Sequence, residues 1–87
     1  EGDVMKLDIR YFAWLRERVG TASEQVETEA GTVAELIAEL RTRDEGYAYA
    51  FSDTGSIRAA IDQDLVEMDA PLAGAREVAF FPPMTGG

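Results

Sequence analysis

From Met5 to Tyr11 apolar and polar residues alternate, with Met5, Leu7, Ile9 and Tyr11 set against Lys6, Asp8 and Arg10, the period of a half-buried strand. The period then changes. Phe12, Leu15 and Val19 fall at helical spacing, and Gly20 suits the left-handed position just past a helix end, so a short helix is predicted over "AWLRERV". Trp14 and Arg18, four apart, are placed either to stack as ring and cation or to leave the Trp partly shielding the core. "SEQVETEA", polar around Val26, predicts a second strand exposed on one face and antiparallel to the first.

The main helix is announced by Thr32 and Glu35, spaced as a capping box, and by the apolar stripe Val33, Leu36, Ile37 and Leu40. Glu39 precedes Arg43 by four, and Arg41 and Arg43 fall near the helix's negative end; such charges can support the helix, but the commoner case is a solvated face. Between Gly46 and Gly55, Tyr47, Tyr49 and Phe51 predict an aromatic-anchored turn or short helix followed by a loop. Ile57, Ala59 and Ile61, a polar turn near Asp62 to Asp64, then Leu65 and Val66 read as a hairpin. After turn signals at Pro71 and Gly74 comes a last strand, Glu77 to Phe81, apolar on both faces and therefore predicted to be central. Pro82 cannot donate to a ladder and ends it. One amphipathic helix and four to five short strands in this order make a small α+β roll.

Composition narrows the function. Eighty-seven residues, 46% hydrophobic, suffice for one core and one soluble domain. Cys and His are both absent, which removes thiolate nucleophiles, imidazole bases, disulfides and the usual zinc sites. There is no DxDxDG calcium loop and no glycine-rich phosphate loop, so catalysis by this chain alone is not expected. The formal charge of −9 disfavours nucleic acid and anionic lipid; it either favours a basic protein partner or simply keeps the protein soluble. No apolar run approaches the ~18 residues of a membrane span and no signal peptide precedes Met5, so a cytoplasmic address is expected, with residues 1–4 a remnant of cloning.

The sequence closes on "FFPPMTGG", residues 80 to 87. Such an end can be mere fraying, but it is graded: aromatic Phe80 and Phe81 leave the sheet, Pro82 and Pro83 enforce an extended path, and the two glycines come last. Extended, residues 83–87 reach roughly 17 Å, enough to carry a carboxylate into another protein's active site. Glycine suits the narrowest part of such a channel, because it lacks a Cβ. A carboxylate is ionised at neutral pH and has no leaving group, so it must be activated; adenylation by ATP would supply one, and a partner must hold the ATP.

"IRYFAWLRERVG", "TVAELIAEL" and above all "REVAFFPPMTGG" resemble the small subunit of molybdopterin synthase, the MoaD-type sulfur carriers, over residues 5–87. The resemblance implies a ubiquitin-like β-grasp roll over 5–81, a mixed sheet packed on one main helix, and an extended carrier tail over 82–87. It implies that Gly87 is adenylated by a MoeB-type enzyme, which uses the ATP, and is then sulfurated to a thiocarboxylate. No cofactor is implied for this chain itself. The tail would insert into the large synthase subunit, in a heterotetramer, and give its sulfur to cyclic pyranopterin monophosphate. Two such donations make the dithiolene. On this pattern Gly86 is the penultimate glycine, Phe81, Pro82, Pro83, Met84 and Thr85 form the inserted segment, and Phe80 belongs to the fold. Phe81 and Met84 are candidate anchors for a partner, with the alternative that Phe81 is core. Many relatives have Asn-Gln where this chain has Asp62-Gln63, and the 46–55 segment varies. Sulfur carriers of thiamine or tRNA thiolation, and ubiquitin-like protein modifiers, share fold and Gly-Gly and remain as alternatives.

Overall fold

The structure, a computed structural model, describes residues 4–83. Strand β1 (Met5–Tyr11) leads into helix α1 (Ala13–Val19), strand β2 (Ser23–Thr28), and helices α2 (Val33–Leu40) and α3 (Glu45–Ala50). A 3-10 turn at Thr54–Ser56 precedes the hairpin of β3 (Arg58–Ile61) and β4 (Asp64–Val66), and β5 (Glu77–Phe81) closes the sheet. The strand order is β2-β1-β5-β3-β4, with β5 parallel to β1 and every other pair antiparallel. The last strand is thus central, as its two apolar faces predict. The mixed five-stranded sheet around α2 is the ubiquitin-like β-grasp arrangement.

Register sorts the side chains into two faces. Leu7 opposes Val26, Ile9 opposes Val78, and Phe80 lies between Tyr11 and Ala59. All these are buried, in one core with Val33, Leu36, Ile37 and Leu40 of α2, Leu15 of α1, and Ala50 and Phe51 at the end of α3. Each fully buried aliphatic or aromatic side chain there contributes about 1.5–3 kcal/mol of transfer free energy.

The α2 N-terminus satisfies its orphan donors without water. The Glu35 N–H donates to Thr32 Oγ1 at 3.2 Å, while the Val33 and Ala34 N–H groups donate to the Ala70 and Met68 carbonyls at 3.1 and 2.8 Å. The Glu35 carboxylate does not close the capping box on Thr32; it accepts from the Gly31 N–H at 2.7 Å, one residue earlier. These bonds tie the helix start to the loop that leads into β5.

One expectation needs correction, and two others gain detail. Phe12 is not on the apolar face of α1: it is the N-cap, extended at φ −124° and ψ 153°, and 47% exposed. Its backbone prolongs β1 by one residue, its N–H donating to the Phe80 carbonyl at 3.1 Å, and Ala13 at φ 55° then turns the chain into α1. A left-handed alanine costs about 1 kcal/mol, accepted here because strand and helix meet with no loop between them. Glu39 and Arg43 do not pair, because α2 ends at Leu40 and the turn after it breaks the i, i+4 geometry. Glu39 accepts instead from the Thr28 hydroxyl, and Arg43 Nη1 lies 3.5 Å from Glu24 Oε1. Asp62 does more than turn a hairpin. It and Gln63 have φ of 50° and 75°, as a two-residue mirror-image turn requires, and Asp62 Oδ1 accepts from the Arg76 and Glu77 N–H groups at 3.1 and 3.0 Å. The hairpin tip is thereby fastened to the start of β5.

The 46–55 segment resolves as α3 and the 3-10 turn. Asp44 caps α3, accepting from the Tyr47 N–H at 3.2 Å. Gly46 lets α3 come against α1: a Cβ there would sit 2.7 Å from the Arg18 carbonyl oxygen. The Arg18 guanidinium lies 4.5 Å from the Trp14 ring centroid and 3.9 Å from that of Tyr49, so the stack within α1 also reaches across to α3. Trp14 in addition packs partly buried against the core.

Candidate functional site

The tail candidates begin where β5 ends. Phe80, fully buried, belongs to the fold as expected, while Phe81 is half-buried on the opposite face of the sheet. Pro82 and Pro83 follow, outside any strand and half-buried. Met84, Thr85, Gly86 and Gly87 lie outside the described residues.

What surrounds the root of the tail is decided by register. Phe81 stands opposite Arg58, Ala79 opposite Ala60, and Ala60 opposite Leu65. Alternation from Arg10 puts Phe12 on this same outer face, next to Phe81. No helix covers it. Phe12 and Leu65, 47% and 70% exposed, lie on this face with half-buried Phe81 and Ala79 and buried Ala60 between them, an apolar strip across the sheet. An exposed apolar strip of this kind is a candidate interaction surface. At its margin Arg10 pairs with Glu77 across β1 and β5, and Arg58 stands beside Phe81.

Phe12 and Leu65 were not among the sequence candidates. Both were within reach: continuing the β1 alternation one residue past Tyr11 puts Phe12 outward, and folding the hairpin about Asp62-Gln63 sets Leu65 against Ala60.

The other polar concentration is inside. Glu24 Oε2 accepts from the Tyr11 hydroxyl at 2.8 Å and from the Tyr47 hydroxyl at 2.7 Å, and Arg43 approaches its other oxygen. Burial, and then the hydrogen bond to Glu24, push the Tyr47 hydroxyl up to about 12. The same causes raise Tyr11 further. Both phenols therefore stay protonated at neutral pH and act as a staple joining β1, β2 and α3, not as general acids or bases. Among the described residues no group of three or more Asp and Glu is placed to hold a metal ion, and no helix is long and apolar enough to cross a membrane. The described residues present an exposed apolar strip and the root of the tail beside it.

Comparison with known proteins places the chain in a family. The chain is 41% identical to the molybdopterin synthase sulfur carrier subunit of Escherichia coli K12 over 81 residues, covering 93% of this chain and 99% of that protein. It is 32% identical, with the same coverage, to the subunit of the same name from Haemophilus influenzae. Among solved structures, the small archaeal modifier protein 1 of Methanosarcina acetivorans superposes with a TM-score of 0.74 at 21% identity, over 99% of this chain and 100% of that one, a likeness of fold. The ThiS family model matches residues 9–87, from the middle of β1 through both terminal glycines, and the chain belongs to the ThiS family.

Proposed function

We propose that this protein is the sulfur carrier subunit of a molybdopterin synthase. The observation that carries the proposal is the junction at Phe81, where the central strand delivers a Pro-Pro-Met-Thr-Gly-Gly sequence from the edge of an exposed apolar strip. The two bacterial relatives bear that name over nearly their whole length. The strip would seat partners in turn, each receiving the same tail.

In the proposed cycle the Gly87 carboxylate attacks the α-phosphorus of ATP on a MoeB-type enzyme, releasing pyrophosphate and leaving an acyl adenylate. A sulfur donor then displaces AMP to give the thiocarboxylate. In the large subunit the charged tail, Pro82 to Gly86 inserted and Phe81 at the mouth, passes its sulfur to cyclic pyranopterin monophosphate. Extended prolines limit the entropy lost on insertion, and glycines place no side chain beside the reacting carbon. Catalytic side chains and ATP site belong to the partners, and the complex with the large subunit is a heterotetramer. A protein with this role works in the cytoplasm, where ATP is at hand.

Intact-mass measurement tests the proposal. After incubation with the activating enzyme, ATP and a sulfur donor, the chain should gain the mass of one sulfur-for-oxygen exchange, located at Gly87 by fragmentation. The charged protein, mixed with large subunit and precursor, should lose that sulfur as molybdopterin forms. A chain that is never charged, or that charges but passes sulfur only to a thiamine precursor or to tRNA, would overturn it.

A further inference from the structure

A net charge of −9 is open to a basic partner, but on the face beside the tail root Arg58 has no carboxylate within 4.0 Å among the described residues. Arg58 opens β3 opposite Phe81, so its side chain belongs to the outer face with Phe12, Phe81 and Leu65. Its Nη1 donates to the Ile57 and Gly55 carbonyls at 3.2 and 3.4 Å. Among the described residues the ion pairs within 4.0 Å are Arg10 with Glu77 and Arg43 with Glu24, so Arg10 on this face is neutralised and Arg58 is not. A guanidinium carries five donors, and the two carbonyls engage one nitrogen. Arg58 borders an open cleft of about 490 Å³, shared with Thr54, Gly55, Leu65 and Glu67. Glu67 continues the β3–β4 register opposite Arg58 and is exposed; it is the facing carboxylate that competes for the guanidinium.

A solvated arginine on an ordinary surface would carry no message. Here it adjoins the apolar strip that docking would dry, and a cation enclosed in a drying interface must meet an anion or resist association. We infer that Arg58 is the ionic anchor of the docking face and takes a carboxylate that the large synthase subunit presents at the rim of its own apolar patch. This deepens the function proposed above and rests on it. The global charge steers encounter; the sign that matters at contact is local. A partner surface that is basic throughout would repel this corner of the face, so Arg58 also selects among basic partners for one with an acidic residue at this point.

The test is calorimetric titration of the large subunit into the full chain and its variants, at low and moderate salt, with thermal melts confirming that each variant is folded. Arg58→Gln should weaken binding roughly 10-fold and Arg58→Glu roughly 100-fold, the range of desolvated charge pairs. Glu67→Gln, by removing the carboxylate that faces Arg58 across the hairpin, should tighten binding. Arg16→Gln, which removes an exposed cation on α1, should leave it unchanged. If the wild type binds and both Arg58 variants bind equally well, this inference fails while the functional proposal stands. If Arg58→Gln tightens binding, the cation is holding back an anion of its own chain, such as the carboxyl terminus, and the inference is likewise overturned. Absence of wild-type binding would overturn the functional proposal and this inference together.

Discussion

Tyr11 and Phe80 face each other across the parallel β1–β5 pairing with their rings stacked, centroids 6.3 Å apart. Phe51 meets both edge-on, at 6.4 Å and 5.1 Å. One residue later the chain reverses its allegiance, and Phe81 turns to the open face. The last core aromatic and the first outward-facing one are thus adjacent in sequence and on opposite sides of the sheet.

That adjacency separates two phenotypes. Phe80→Ala should lose about 3–5 kcal/mol of stability, the range for emptying a buried aromatic site. Phe81→Ala should lose only about 1 kcal/mol, since its ring is half-exposed. Binding to the large subunit should respond the other way, with Phe81→Ala weakened at full folding. Urea unfolding and titration of the same two samples check both halves; equal destabilisation would mean that Phe81 is core.

The staple on Glu24 predicts alkaline sensitivity. Tyr47 is raised from 10.0 to about 12 and Tyr11 further, so in the folded protein both keep protons that the unfolded chain releases. The folded state then binds more protons, and stability must fall as pH rises. The contribution is complete below about pH 10, the ordinary tyrosine value, and is lost progressively through about 12 and above. Urea midpoints should therefore decline above about pH 10, and the double variant Tyr11→Phe, Tyr47→Phe should flatten the decline. An unchanged slope in that variant would locate the sensitivity elsewhere.

Gly46→Ala should destabilise although it replaces glycine inside a helix, where alanine gains about 1 kcal/mol in propensity. The new Cβ would lie 2.7 Å from a backbone oxygen of α1, and neither partner is the movable end of a side chain. Separating α3 from α1 should also pull Tyr49 off Arg18. We expect a net loss of about 1–3 kcal/mol by urea unfolding. A more stable variant would show that the two helices are not in firm contact.

Where a local pattern carried the whole instruction, the sequence was read correctly. Alternation located β1, two apolar faces made β5 central, and Thr32 with a four-residue apolar stripe located α2. What local pattern left open lies where partners are distant in sequence. Glu39 and Arg43 read as charges on a solvated face because the end of α2 at Leu40 is not written in any single residue, and their partners, Thr28 and Glu24, lie in β2. Asp62 looked like an ordinary turn residue because the N–H groups it accepts belong to Arg76 and Glu77, beyond the next loop. The site divides in the same way. The Gly-Gly tail is legible as composition, whereas the strip of Phe12, Leu65 and Phe81 exists only once the sheet order sets β1, β5, β3 and β4 side by side.

The tail itself should prove dispensable for folding and indispensable for sulfur transfer. The β5 ladder ends at Phe81, and Pro82 has no N–H with which to extend it, so among the described residues the ladder stops there. Adding one residue after Gly87 moves the carboxylate about 3.3–3.6 Å outward and off glycine. An activating site shaped for a glycyl carboxylate then meets the wrong atom. Gly86→Ala leaves the carboxylate in place but adds a Cβ at the narrowest part of the path. Both variants should melt within about 0.5 kcal/mol of the parent, as surface changes do, yet fail to acquire sulfur or fail to pass it on. Intact mass after activation distinguishes those two failures, and product formation with the large subunit completes the assay. Full sulfur transfer by the extended chain would show that Gly87 is not the carrier residue, whatever the globule's resemblance to its relatives.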